Sequence, residues 1–487
     1  MMLNSFFKDS AIYTIPAIVT RCFSFFLVPL YTRVLSTADY GSLDLFISFA
    51  SIVNLTITLE VSQGLVRYYS SESNFEQKIY YSSSAFWFTI FCYTIFAILA
   101  TLLTPFLAHL VMGQSGMETA FRLGIVIIWC NGLFYLIQNQ LRWEFRSKDY
   151  AVVSLLMSFT TAISSIWFAF WLRWGLEGML LGMVIGSLAG IILGLSRLLN
   201  SFRFCFDVGC LRDMLAFSAP LVFSGVAVWI SLYIDRIMLN RLLSVEAVGL
   251  YGVGYRVASI AGLIMVGFQG AMTPLVYAHH QDPSTPMQLA RIFRFFMFFA
   301  LLVFLTLSLF AQDIVRLLTS EQFFAGAPVV IYLVPAVLLS NMYIFAPGIG
   351  IAKKTYVTVW INIGGALLNI TLNYMLIPIL GIIGAGLATL MSSLSVFVAY
   401  MIISQKLYSV PHQWRYFVAV ATLAAILGWF GARFDGADFV RWGLNLTLIA
   451  FFSFVCMNIG LIRIHELRQG ALLMRDILRS IFVLSRF

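Results

Sequence analysis

The chain has 487 residues and a net charge of +9, yet 61% of its residues are hydrophobic and only 10% are charged. This composition, with a mean hydropathy of +0.92, excludes a soluble globular domain and predicts an all-α polytopic membrane protein. The six cysteines are scattered without the spacing of a zinc site, so neither a metal nor a cofactor is predicted.

Apolar segments separated by polar turns predict about fourteen membrane spans, and no loop between them is long enough for an extramembrane domain. In chain order the predicted spans are 11–35, 42–66, 79–111, 120–141, 150–172, 177–199, 214–240, 247–278, 291–312, 325–347, 355–377, 382–405, 415–432 and 442–462. A basic tail, 464–487, follows the last span, and we expect it to lie at the cytoplasmic membrane surface.

Proline and glycine mark two interruptions in these segments. Pro105 is predicted to kink or end the long third segment. In the stretch 369–390, Pro378 is expected to stop one helix, while Gly381 and Gly384 allow a tight turn and a close approach of the next helix.

The distribution of Lys and Arg predicts the orientation. Most of the 30 basic residues fall on the cytoplasmic side when both termini are placed there, which agrees with the positive-inside rule and an even number of spans. The positive charge therefore favours contact with anionic membrane lipid. Nucleic acid is not an expected partner, because there is no basic domain with interleaved aromatic residues.

The sequence contains an internal duplication. The segment 174–187, WGLEGMLLGMVIGS, aligns without a gap to LGIIGAGLATLMSS at 380–393, 206 residues further on, and near the first span Gly41 aligns to Gly249. Collinear matches predict two parallel six-helix repeats that form two lobes around a central cavity. We expect an N-terminal lobe at 1–206, a C-terminal lobe at 207–408 and two appended spans at 409–463.

Three arginines are assigned to neither side of the membrane, because they lie deeper inside predicted spans: Arg21, Arg236 and Arg256. Charges are costly at that depth, and by default they mark a site that faces a cavity. Arg236 is nearer the outer end of its span, and from there its side chain can reach water along the helix. The alternative for each is a buried ion pair that only fixes helices, with Glu60 or Asp235 for Arg21, and with the adjacent Asp235 for Arg236.

Further polar residues complete the candidate site. Glu60 and Asp235 are the acids that we would test for coupling to protons or sodium, whereas Asp44 is expected to be an interfacial or capping residue. Gln63 and Gln269 add uncharged polarity, and Arg67 lies at the cytoplasmic mouth.

The positions equivalent to Arg21 and Arg256 in the other repeat carry no charge. The helices are therefore predicted to be duplicated, whereas these two charges are not. The planar, permanently charged guanidinium is suited to phosphate. The sequence therefore favours an anionic headgroup as the substrate, because a transporter of cationic drugs is expected to carry unpaired acids instead.

Four stretches carry a resemblance to a known family. They are RVLSTADYG at 33–41, GLVRYY at 64–69, DRIMLNRLLS at 235–244 with its continuation to Tyr251, and the run from Asn373 through Pro378 to Gly384. In these stretches the chain resembles the polysaccharide transporter family, which includes the O-antigen and exopolysaccharide repeat-unit flippases. The family belongs to the multidrug/oligosaccharidyl-lipid/polysaccharide flippase superfamily.

The resemblance implies a protein that is not an enzyme. It implies a flippase of the bacterial inner membrane that moves undecaprenyl-pyrophosphate-linked oligosaccharide to the outer leaflet by alternating access, alongside polysaccharide polymerase or assembly proteins. It also implies cavity arginines for the pyrophosphate, a role that falls on Arg21 and Arg256, with Arg67 and Arg236 as weaker candidates.

Three other functions remain open at this point. A cation-coupled multidrug antiporter normally has twelve spans, so the two extra spans and the arginines count against it. A peptidoglycan-precursor flippase belongs to the same superfamily. A membrane-embedded glycosyl polymerase needs a large catalytic outer loop, and the outer loops here are short.

Overall fold

In the computed structural model, the described residues are 27–265, 276, 281–434, 436–459 and 461. All elements among them are helical. The helices are α1 Val28–Val34, α2 Thr37–Thr56, α3 Val61–Ser71, α4 Phe75–Leu102, α5 Thr104–Met112, α6 Glu118–Trp143, α7 Ser147–Ile166, α8 Gly175–Arg197, α9 Val208–Leu242, α10 Val245–Ser259, α11 Thr285–Leu309, α12 Ala311–Leu318, α13 Val330–Asn341, α14 Gly348–Ile351, α15 Thr355–Leu380, α16 Ile382–Leu407, α17 Trp414–Ala432 and α18 Asp438–Asn458.

These helices confirm the predicted fold class. Eleven of them, with neighbouring short helical turns included, are long and apolar enough to cross a membrane, and the bent pair α2–α3 raises the number to twelve within the described residues. They coincide with the predicted spans except 11–35 and 247–278, which extend outside the described residues. The total of fourteen therefore stays a prediction.

The two aligned glycine-rich segments form helix hairpins with the same local geometry. Gly175 and Gly381 both have a left-handed backbone, with φ of 54° and 61°. Three residues later, a Cβ on Gly178 or on Gly384 would overlap the backbone of the preceding helix. Both positions therefore need glycine, one for the turn and one for the close approach.

Pro378 does not end its helix as expected. It lies inside α15, which continues to Leu380, and the chain turns at Gly381. A proline near the end of a membrane helix is tolerated when neighbouring groups satisfy the freed carbonyl. By contrast, Pro105 lies in the first turn of α5, where its missing N–H costs nothing, and it separates α5 from α4 as predicted.

The second predicted span is broken, although its hydropathy is continuous. Helices α2 and α3 meet at 44° across residues 57–60. Leu59 and Glu60 both have left-handed backbones, with φ of 49° and 53°. This conformation is strained for residues with a Cβ, and surrounding structure must impose it.

Helices α2 and α10 cross at their first turns through a reciprocal glycine contact. A Cβ on Gly41 would overlap the carbonyl oxygen of Val245, and a Cβ on Gly249 would overlap the carbonyl oxygen of Thr37. Gly41 aligns to Gly249 in the predicted duplication, and Thr37 aligns to Val245 at the same spacing. Each helix therefore makes the same kind of contact on the other through aligned residues, and the duplication itself stays a prediction.

The contacts divide the chain into two compact units. Unit 1 contains Met1–Arg256, Val315–Val329 and Tyr356–Val396, and unit 2 contains Val257–Ile314, Val330–Thr355 and Phe397–Phe487. The predicted lobe boundaries at 206 and 408 stay predictions.

Helices α17 and α18, the two appended spans, pack within unit 2. Phe293 of α11 contacts Phe417 of α17 edge to face, with ring centroids 4.9 Å apart. The side chain of Asn445 on α18 donates to the carbonyl oxygen of Leu309 over 2.9 Å. A buried amide bonded to the end of a neighbouring helix fixes the depth of α18.

Candidate functional site

Unit 1 contains four charged side chains in contact, which we call the paired-charge cluster: Asp44 of α2, Asp235 and Arg236 of α9, and Arg256 of α10. Arg236 donates from Nε to Oδ2 of Asp44 over 3.1 Å and from Nη1 to Oδ1 of Asp235 over 3.0 Å. Arg256 approaches Oδ1 of Asp44 to 3.7 Å. Two arginines and two aspartates balance in charge, as burial in a membrane protein requires.

Local hydrogen bonds fix Arg236 in place. The backbone N–H of Arg236 donates to Oδ1 of Asp235, and its guanidinium donates to the carbonyl oxygen of Leu232 over 2.8 Å. The hydroxyl of Tyr251 donates to the other carboxylate oxygen of Asp235. The guanidinium of Arg236 donates to both acids and to a carbonyl oxygen. These hydrogen bonds offset the cost of burying its charge.

Aromatic rings enclose the same guanidinium. Its carbon lies 4.4 Å from the ring centroid of Tyr255, 5.4 Å from that of Tyr233 and 5.6 Å from that of Tyr251. Cation–π contacts strengthen when water is excluded. Only 5% of the Arg236 side chain is exposed.

Of the two expectations for Arg236, the ion pair with the adjacent Asp235 is the one observed, and the expectation that it can reach water along its helix is wrong. The acids of α2 and α9 and the tyrosine rings hold it inside the protein. The expectation for Asp44 is wrong as well. It is buried in the cluster, whereas α2 is capped by Ser36 and Asp39, which bond to each other's backbone N–H groups in a capping box.

Arg256 has different surroundings. Its guanidinium carbon lies 4.6 Å from the ring centroid of Tyr40, and 24% of its side chain is exposed. Tyr40 is fully buried, and its hydroxyl has no hydrogen-bond partner among the described residues. The 3.7 Å approach to Asp44 is longer than a good charge-assisted hydrogen bond, so this pairing is loose.

The cluster unites three of the predicted site residues, Asp235, Arg236 and Arg256. Three others lie along the second half of the broken span: Glu60 at the break, half-buried Gln63 on α3, and exposed Arg67 further along α3. Glu60 is close enough to Tyr93 and Tyr135 to interact electrostatically with both. Arg21 and Gln269 lie outside the described residues, so their roles stay predictions.

Sequence reasoning missed Asp44 and the tyrosines of the cluster. Tyr40 and Asp44 are four residues apart on one face of α2, and so are Tyr251 and Tyr255 on α10. This spacing is the available signal, because side chains at i and i+4 share a helix face. Asp44 lies one turn beyond Tyr40 on α2, and α2 aligns to α10, the helix that carries Arg256. This pattern marks Asp44 as a candidate to face Arg256.

Arg256 is the residue of the cluster whose chemistry suits a phosphate group. Its guanidinium is partly exposed and lies on the ring of Tyr40, and the nearest carboxylate oxygen of Asp44 is 3.7 Å away. Among the described residues, no group of three or more His, Cys, Asp and Glu is arranged to hold a metal ion.

Solved structures show which class of protein has this fold. The lipid II flippase MurJ in an inward closed conformation has a TM-score of 0.69 at 16% identity, over 92% of this chain and 99% of that chain. An inward-facing multidrug resistance MATE family transporter of the MOP superfamily has a TM-score of 0.67 at 13% identity, over 82% and 99%. At such identities the likeness establishes the fold alone, which is that of the flippases and transporters of this superfamily.

The sequence itself assigns the family. The profile of the family described as polysaccharide biosynthesis protein matches residues 30–328, and the chain belongs to this family. No curated protein matches the chain. The resemblance to the polysaccharide transporter family is confirmed, and the apolar helices are those of a multi-pass membrane protein.

Proposed function

We propose that the protein moves undecaprenyl-pyrophosphate-linked oligosaccharide repeat units, of O-antigen, capsule or exopolysaccharide, from the cytoplasmic to the outer leaflet by alternating access. The observation that carries this proposal is Arg256, a partly exposed guanidinium inside a membrane protein of a polysaccharide biosynthesis family. Arg256 engages the pyrophosphate. Arg236 holds the site together, because its bonds to Asp44 and Asp235 already occupy it.

The remaining parts of the proposal rest on the sequence. Both termini face the cytoplasm of a bacterial inner membrane, where basic loops contact anionic lipid. Arg21 adds a second cation to the pyrophosphate site, and Arg67 and the two glutamines line the path. Polysaccharide polymerase or assembly proteins receive the product.

Coupling to protons or sodium is proposed at Glu60. Asp235 is already bound by Arg236 and by the hydroxyl of Tyr251. Glu60 lies instead at the strained break of a membrane helix, where a change in its charge can alter the bend. No cofactor is proposed.

The test is export of surface polysaccharide in a strain that lacks the gene. Arg256→Ala is expected to reduce export by at least about 100-fold with normal membrane levels, because the pyrophosphate loses a bidentate partner. Arg256→Lys is expected to restore part of the export. Arg433→Ala is the control, since Arg433 is exposed and stacks on Trp429. Normal export by Arg256→Ala would refute the assignment of Arg256.

The same strain separates the alternative substrates. A lipid-linked oligosaccharide that accumulates in the inner leaflet agrees with the proposal. Accumulation of the peptidoglycan precursor instead would support a precursor flippase, the alternative that shares its fold with the lipid II flippase MurJ. Sensitivity to cationic dyes, with polysaccharide unchanged, would support the multidrug antiporter.

A further inference from the structure

The carboxylate of Asp44 divides its two oxygens between two arginines. Oδ2 accepts from Nε of Arg236 at 3.1 Å, within hydrogen-bonding distance. Oδ1 faces Nη2 of Arg256 at 3.7 Å, beyond it. One arginine is therefore held firmly and the other loosely by the same side chain.

The geometry allows Arg256 to be released without disturbing Arg236. The side chain of Asp44 stays anchored through Oδ2, and Gly252, which aligns to Asp44 in the duplication, leaves room at that oxygen because a Cβ there would contact it. A phosphate oxygen that approaches Arg256 from the side of Asp44 would replace the 3.7 Å contact with Oδ1. The buried hydroxyl of Tyr40, beside Arg256, is a further donor without a described partner.

We propose that Asp44 is a built-in competitor for Arg256. In the absence of substrate it balances the charge of Arg256, and the diphosphate of the substrate displaces it. When the substrate leaves, Asp44 pairs with Arg256 again and so promotes release. This inference rests on the proposed function of Arg256. It adds that Asp44 limits the affinity of Arg256 for the diphosphate.

Removal of the competitor is expected to strengthen binding and slow release. The test measures binding of inorganic pyrophosphate to the full-length protein in detergent at low ionic strength. Asp44→Asn is expected to bind about tenfold more tightly than the unmodified protein. The same variant in vesicles, with a fluorescent undecaprenyl pyrophosphate as substrate, is expected to show a lower KM and a lower kcat, since release becomes slower.

Asp235→Asn is the matched control. It removes one negative charge from the same cluster, but the ion pair of Asp235 is with Arg236. Its pyrophosphate affinity is expected to change less than threefold. Equal tightening by both variants would mean that net charge alone governs binding and would overturn the inference, as would unchanged or weaker binding by Asp44→Asn.

Two further variants keep the outcome decisive. If Asp44→Asn does not fold, Asp44→Glu keeps the negative charge and brings it closer to Arg256, and it is expected to bind pyrophosphate more weakly than the unmodified protein. Arg256→Ala separates the two proposals. If it binds pyrophosphate as the unmodified protein does, the proposed role of Arg256 fails. If it loses binding while Asp44→Asn leaves affinity unchanged, only the competitor role fails.

Discussion

The paired-charge cluster of unit 1 and a second cluster in unit 2 both set arginine beside two aspartates, but they divide the charges differently. In unit 2, Arg441 of α18 bonds to Asp313 of α12 and to Asp438 at 2.9 Å, and Trp442 donates to Asp313 over 3.1 Å. We call this group the Arg441 clamp.

In the Arg441 clamp, one arginine binds two acids and so holds two helices together. In the paired-charge cluster, two arginines share two acids and are held unequally. The Arg441 side chain is 10% exposed, and its two carboxylates leave no positive charge to spare. In the paired-charge cluster, Arg236 takes the short contacts and Arg256 keeps the long one. This difference agrees with the proposed roles, in which Arg441 and Arg236 fasten helices and Arg256 binds the substrate.

The sharpest test of this comparison is Arg236→Ala. The change leaves Asp44 and Asp235 buried without their shared cation, and breaking a buried ion pair in this way costs about 3–5 kcal/mol. We expect a large loss of folded protein after detergent extraction and a lower Tm. Arg256→Ala is the control and is expected to keep most of the stability. Equal stability of the two variants would contradict the division of roles.

Arg441→Ala is expected to have a smaller effect on stability and none on transport by each folded molecule. Asp438 is 64% exposed and can be hydrated, so Asp313 is the acid that loses a buried partner, and Trp442 still donates to it. We expect a destabilisation of about 1–3 kcal/mol, measured as Tm in detergent. A specific loss of transport at normal folded levels would show that the clamp belongs to a working site.

The smallest expected effect concerns pH and unit 2. His412, in the loop before α17, packs against the rings of Phe293 and Trp414, and burial lowers its pKa to about 4. In the unfolded chain the pKa of His412 has its ordinary value of 6.5, so as the pH falls the unfolded chain is protonated before the folded protein. The contribution of the buried, neutral His412 to the free energy of unfolding is therefore complete above pH 6.5 and is lost as the pH falls to about 4.

His412→Phe removes this titration and keeps a ring in the same position. We expect the Tm of the unmodified protein to fall more between pH 7 and pH 4 than the Tm of the variant, by a few degrees at most. Parallel curves would show that His412 is protonated without cost. Because His412 belongs to neither charged cluster, transport at neutral pH is expected to stay the same.

The hydropathy pattern predicted the helices because each span must be long and apolar, a requirement that acts locally. The turn at Gly381 was predictable for the same reason, since a left-handed residue at a helix end selects glycine. The break at residues 57–60 was not, because Ile57, Thr58, Leu59 and Glu60 include neither proline nor glycine. A strained backbone at residues without glycine must be held by its surroundings, which these four residues do not reveal.

The candidate site was predicted in part, also for a physical reason. Charged residues inside apolar spans are visible in the sequence, so Arg236 and Arg256 were identified. The pair of Arg236 with the adjacent Asp235 was also predicted. Pairing with Asp44 was not, because Asp44 and Arg236 are 192 residues apart and nothing local distinguishes a capping aspartate from a buried one. The contact between α2 and Arg236 became visible only in the folded protein.

That separation along the chain has a consequence in time. At a synthesis rate of ~5–20 residues per second, roughly 10–40 s pass between the emergence of Asp44 and that of Arg236, 192 residues later. During this interval α2 reaches the bilayer with Asp44, while its partners Arg236 and Arg256 have not yet been synthesised. The pace of translation therefore becomes a variable in folding, and the ribosome sets how long the first half of the protein carries that charge alone.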